Sequence, residues 1–287
     1  MQSNSPFFLE MIHDLLVTLV YTSCVEGAVP ISAVLVADSG TAKSKVLKQV
    51  NGNDGIHLTD SFSSQGLFQL MQADPTNKIR FIVMPDLNPT LSRQQKTVTA
   101  TVANLLTLTM DGTCRIDDGR QEKLLQHKPI GLLSGVTPDI FKTQSKRWFS
   151  LGLTRRIIPL FYEYTSETER KLLDIVSEGK ITSSDFPPLK IELNGSHAPH
   201  IAHGESKVIE GLGIQFGVNL GMAKSKDSSG TVKWFVRKIV PVSPVVILRT
   251  LAQANAIRYG RGRVSDADIT FLTRFLGFTN PAQPRQI

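Results

Sequence analysis

Cysteine is almost absent from the chain: Cys24 and Cys114 are the only two among 287 residues, and neither stands in a Cys-x-x-Cys or zinc-type spacing. A disulfide scaffold is therefore excluded. Glycine and proline are too few, and too irregularly placed, for collagen or low-complexity disorder. No basic segment leads into an apolar run near the start, so secretion is not expected and a reduced, cytoplasmic life is. Long hydrophobic runs are missing too. The most apolar early stretch, Leu15 to Val20, follows Glu10, His13 and Asp14 and falls far short of the roughly 20 apolar residues that cross a bilayer. What remains, 41% hydrophobic and 20% charged side chains, has the proportions of a large α/β core with a smaller lobe.

Charge of one sign is scarce in the last fifth of the sequence. From Lys233 to Ile287 there are nine basic residues and only two acidic ones, Asp266 and Asp268, so this stretch carries the whole net charge of +7 and residues 1–232 balance. A basic C-terminal lobe on a neutral body is what a phosphate backbone attracts. A solvated arginine face, or one paired with an acidic neighbouring subunit, is the competing reading.

Phe8, Met11, Ile12, Leu15, Leu16 and Leu19 recur with helical spacing, which predicts a helix ending near Gly27. After Pro30, the β-branched run Ile31 to Val36, the small residues Ala37 to Ala42 and the stretch Lys43 to Val50 read as strand, tight loop and helix. The runs Ile79–Met84 and Ile130–Leu133 have the continuous apolar character of buried parallel strands. Between them Val98–Met110 reads as a helix, with strand as the competitor because of its threonines. Ser166–Ser177 is helical in pattern, the stretch 180–232 predicts turns with an exposed hairpin or loop, and two helices close the chain. The first starts near Pro244 and the second is opened by a capping box of Ser265 and Asp268.

The loop Ala37-Asp38-Ser39-Gly40-Thr41-Ala42-Lys43-Ser44 has the frame of a phosphate-binding P-loop, with alanine in place of both terminal glycines. Its chemistry needs backbone N–H groups turned towards a β-phosphate, a compact positive charge and a hydroxyl for magnesium. Ser39, Gly40, Thr41, Ala42, Lys43, Ser44 and Lys45 are the nucleotide-binding candidates. Alanine disfavours positive φ, so weakened affinity is expected. Asp86 ends the run Ile79–Met84, 43 residues after Lys43. There it would share magnesium with Ser44. Leu87 and Asn88 follow it where a hydrolytic site places a glutamate, so turnover is expected to be slow or absent.

Taken in order, these motifs resemble the AAA+ P-loop ATPases, with degenerate Walker motifs. They are joined by Thr137 at the end of Gly131–Thr137, by Trp148–Arg156 leading into Ile157–Phe161, and by Leu248–Asp268. The last segment is distantly similar to the lid helices of the MCM and MoxR-like branch, and the likeness covers about residues 37–287. It implies an AAA+-like nucleotide-binding core at 1–180, including the N-terminal helix, then an irregular or hairpin segment and a basic helical lid at 181–287. It implies ATP or ADP with Mg2+ as cofactors and Thr137 as the residue that orients attacking water. Arg155 or Arg156 would be an arginine finger acting on the next subunit, and Arg249 would substitute for the second sensor. A ring or filament of identical chains follows from that finger.

Arg258, Arg261 and Arg263 form the densest basic cluster and are the DNA-binding or RNA-binding candidates. His197, His200 and His203 lie within seven residues, but Pro199 breaks the helix that would align them as metal ligands. The sequence therefore predicts an oligomeric nucleotide-binding protein with weak or no ATPase activity, associated with nucleic-acid processing. The alternative is a catalytically dead scaffold of the same fold that binds protein partners and no nucleic acid. No membrane association is expected.

Overall fold

The computed structural model describes residues 9–117, 122–150, 156–178, 186–193, 195–226, 232–236 and 239–287. It opens with α1 (Glu10–Tyr21), continued by a 3-10 turn, then β1 (Ser32–Val36), α2 (Lys43–Lys48), β2 (Ile56–Leu58), α3 (Ser64–Gln72) and β3 (Phe81–Met84). Next come a short α4 (Asn88–Leu91), α5 (Gln95–Asp111), a hairpin of β4 (Thr113–Asp117) and β5 (Glu122–Gln126), β6 (Gly131–Val136), α6 (Pro138–Ser150) and β7 (Ile157–Glu163). The remainder is α7 (Ser166–Ser177), α8 (His203–Gly221), a hairpin of β8 (Met222–Lys226) and β9 (Val232–Val236), α9 (Val242–Arg258), α10 (Asp266–Phe278) and β10 (Arg285–Gln286).

Six strands form one parallel sheet in the order β10-β7-β1-β6-β3-β2. From β1 the chain jumps to the far edge at β2, returns one place at a time through β3 and β6, then passes β1 to add β7. Right-handed crossovers put helices on opposite faces when the direction of travel reverses. The packing shows this: Ala33 and Leu35 face a core built with α1, α2, α8, α9 and α10, whereas Val34 and Val36 face α3 and α5. The direction changes at β1, and open α/β sheets bind ligands beyond the carboxyl ends of the strands at such a point. Phe216, Leu248, Leu251 and Phe275 of the C-terminal helices belong to the same buried cluster as β1. Among the described residues, no helix is long and apolar enough to cross a membrane.

The elements predicted from local pattern are present within a few residues. The threonine-rich stretch is the helix α5, where Thr101 and Thr107 satisfy their hydroxyls on carbonyls one turn back, an option open to threonine in helices. The stretch 180–232 holds the first strand of a hairpin whose second strand, β9, runs on to Val236, and also the 19-residue helix α8. Two of the helix's glycines, Gly213 and Gly217, are contact residues rather than turn residues. A Cβ on Gly213 would sit 2.4 Å from Val245 Cγ2, and one on Gly217 would touch Pro244, so their absence lets α9 pack closely against α8.

A buried acid ties the α3–β3 connection to the segment between β5 and β6. Asp74 accepts from the Lys78 and Ile79 amides at 3.0 and 2.6 Å and faces His127 Nε2 at 3.2 Å. Burial alone would raise its carboxyl, but the Ile79 and Lys78 amides and His127 outweigh that and hold it below the ordinary carboxylate value. A depressed folded value stabilises the fold above the unfolded pKa, and that contribution disappears as pH falls through the folded value. Stability is therefore expected to fall on acidification below about pH 4, and Asp74→Asn to flatten that part of the curve. Urea titrations at several pH values check it, and an unchanged slope for the variant would contradict it.

Candidate functional site at the carboxyl ends of three strands

Lys43 opens α2 directly beyond β1. Its ammonium donates to the carbonyls of Ala37 at 2.5 Å and Asp38 at 2.6 Å and lies 3.4 Å from Thr41 Oγ1. Burial pulls it below its ordinary value, against the opposing fields of Asp38 and Asp86. Ser44 Oγ donates to the Pro85 carbonyl at 3.2 Å, which brings the hydroxyl beside the end of β3. Asp86 is exposed, and one of its carboxylate oxygens accepts from the Asn88 amide at 2.9 Å. The Leu87 side chain is buried and its amide donates to the Gly135 carbonyl at 2.9 Å. Gly135 must be small, because a Cβ there would lie 2.9 Å from the Pro85 carbonyl and 3.7 Å from Lys43 Cβ. Thus β1, β3 and β6 deliver Lys43, Ser44 and Asp86 to one place, and Thr137 follows β6 directly, half-exposed at the start of α6.

The loop is held from the side by residues that spacing does not reveal. Tyr162 and Tyr164, on and just past β7, direct their hydroxyls to the Thr41 carbonyl at 3.1 and 3.4 Å. Burial pushes both phenols up, so they remain donors. The peptide they fix leads into Ala42, which adopts φ +57°, two residues after Gly40 at φ +89°. An L-residue in the left-handed region costs about 1 kcal/mol, and the two tyrosines oppose relaxation of that conformation. A run of more than 120 residues separates Thr41 from Tyr162, and only the pairing of β1 with β7 joins them.

The other predicted residues fall elsewhere. Ser39 and Gly40 are exposed at the loop tip, and Lys45 lies over the Phe186 ring at 5.0 Å. Arg156 is exposed at the start of β7, the opposite end of the parallel sheet from the loop, so it does not join this site within one chain. Arg155 lies outside the described residues. Arg249 donates to Ser206 of α8 at 2.9 Å. In the basic cluster Arg258 is paired with Asp14 at 2.8 Å, Arg261 with the buried Asp268 at 2.7 Å, and Arg263 with Glu205 at 3.5 Å. His197 and His200 have backbones bridged to Val25 and Arg263 respectively, and among the described residues no three His, Cys, Asp or Glu side chains gather to hold a metal ion. The chain matches no protein-family model and no curated protein.

Proposed function

We propose that this chain is a P-loop nucleotide-binding protein of AAA+ type, a slow switch rather than a fast ATPase. One observation carries the reading: Lys43, Ser44 and Asp86 converge at the topological switch point, with Ser44 Oγ 3.2 Å from the carbonyl of the residue before Asp86. A residue orienting water at a terminal phosphate has to stand between the lysine and the acid, and the order β1-β6-β3 supports that role for Thr137. Lys43 would hold the β- and γ-phosphates of ATP, and Ser44 and Asp86 would hold Mg2+, which would supply charge neutralisation there. The six-residue α2 is too short to add much dipole, so the lysine carries the positive charge.

Slow turnover and weak binding each have a physical ground. Leu87 occupies the position after Asp86 and is buried among apolar side chains, leaving no adjacent base for water. Lys43 is already satisfied by two loop carbonyls, so phosphate oxygens have to displace them. Arg156 at the far end of the sheet supports a finger acting on a neighbouring copy, and hence a ring or filament. The scaffold reading is favoured by the ion pairs of Arg258, Arg261 and Arg263, which draw much of the cluster's charge inward. The test is to measure nucleotide retained by the purified chain and its mass in solution with and without Mg-ATP. Retained nucleotide, or ATP affinity with assembly, supports the switch, and neither one leaves the scaffold.

A further inference from the structure

Outside the proposed ATP site, the outer face of the C-terminal helices carries an open cleft of about 460 Å³ between α1, the end of α9 and α10. Its walls bear the guanidinium groups of Arg258, Arg261 and Arg274 against one carboxylate, Asp14. Two of these cations are fixed in place. Arg258 is held by Asp14 at 2.8 Å and by the Asp14 carbonyl at 3.2 Å, and Arg261 by the fully buried Asp268 at 2.7 Å and by Ser265. Both lie by the ring of Tyr259, at 5.0 and 5.4 Å from its centroid, and Tyr259 is 57% exposed. The third differs: Arg274 is exposed and has no hydrogen bond or ion pair among the described residues. Arg261 Nε is buried without a hydrogen-bond partner among the described residues.

We propose that this cleft binds a nucleotide unit, its phosphate taken by Arg274 with Arg261 and its base laid beside Tyr259. The charge balance selects an anion: Asp14 offsets Arg258 and Asp268 offsets Arg261, which leaves Arg274 as one cation in excess, and a concave surface focuses that field. Guanidinium groups match phosphate oxygens in pairs, and Arg258 and Arg261 are already ordered, so little freedom is lost on binding. The volume lies within the range of small-ligand clefts. With Arg258 and Arg261 over the exposed Tyr259 ring, the three groups make a tier against which a base can lie, since bases stack on guanidinium planes as well as on aromatic rings. The unit is the same whether it comes from a free nucleotide or from a single strand.

The full chain is titrated with AMP, which lacks the β-phosphate assigned to Lys43, with a labelled single-stranded oligothymidylate, and with inorganic phosphate. Binding of AMP identifies a free nucleotide as the source, and binding of the oligomer alone identifies the strand. Arg274→Ala, which breaks no internal contact, is expected to weaken either ligand about 10-fold or more, as loss of a charge-assisted hydrogen bond does. Arg274→Lys should restore part of that, and Arg170→Ala on α7 should change nothing. Tyr259→Ala should weaken AMP or oligomer and leave inorganic phosphate unchanged. No binding of AMP or oligomer at low salt, or equal binding by Arg274→Ala, overturns the proposal while leaving the Lys43 site untouched.

Discussion

Lys43→Ala is expected to abolish measurable ATP binding while the protein stays folded. In the proposed site the ammonium is the one fixed cation facing the phosphates, and each charge-assisted hydrogen bond it makes contributes about 1.5–3 kcal/mol. Replacing even one such bond lowers affinity by about 10- to 100-fold. The fold survives the change, because the side chain is only half-buried and its partners, the carbonyls of Ala37 and Asp38, lie beside an exposed loop. Removing this half-buried lysine gives up its two loop-carbonyl hydrogen bonds, a loss of about 1–3 kcal/mol that is short of the total stability of a typical domain. Calorimetric titration with Mg-ATP reads the affinity, and thermal melting reads the fold. Unchanged affinity in a folded variant would remove the loop from the nucleotide assignment.

Asp268→Ala is expected to cost more stability than any change at the loop. Asp268 is fully buried and accepts from the Ser265 amide and hydroxyl, from Asn255 at 2.7 Å and from Arg261 at 2.7 Å. It thus caps α10, anchors α9 and neutralises Arg261 at once. Removing one partner of a buried ion pair leaves the other charge uncompensated, at about 3–5 kcal/mol, and the lost cap adds to this. Asp268→Asn keeps the shape and part of the hydrogen bonding, so a smaller loss is expected. Urea denaturation followed by circular dichroism measures both. A loss below about 1 kcal/mol for the alanine variant, the size of an ordinary surface change, would show that the α9–α10 junction is held elsewhere.

The parts of the fold that were legible are those in which local chemistry and burial agree. The strand–loop–helix unit around Lys43, the buried runs of β3 and β6, the helix Ser166–Ser177 and the capping box at Ser265 each declare themselves within about a dozen residues. The missed features depend on contacts between distant segments. Gly213 and Gly217 look like loop residues until α9 lies against them. The tyrosines at 162 and 164 acquire their role only because β7 lies beside β1. Counting charges along the chain overstated what Arg258, Arg261 and Arg263 offer a ligand, since their acidic partners include Asp14 and Glu205, far away in sequence. Arg274, alone in its own stretch of sequence, did not stand out there.

The placement of β1 also dictates when the molecule can form. Its neighbours are β6 and β7, with Ala33 beside Leu133 and Ser32 beside Ile157, so the central strand waits for about a hundred residues before either side is covered. Loops of that length must close before their pairings reward them, and chains dominated by such contacts fold slowly. A ribosome making this chain exposes α1, β1, β2 and β3 well before the strand that belongs between β1 and β3 exists. During that interval the apolar edges of β1 and β3 are open to wrong partners, including each other. The geometry of the loop at Thr41 leans on Tyr162, so it is set no earlier than the pairing of β7 with β1, and the binding proposed for that loop would follow this pairing rather than precede it.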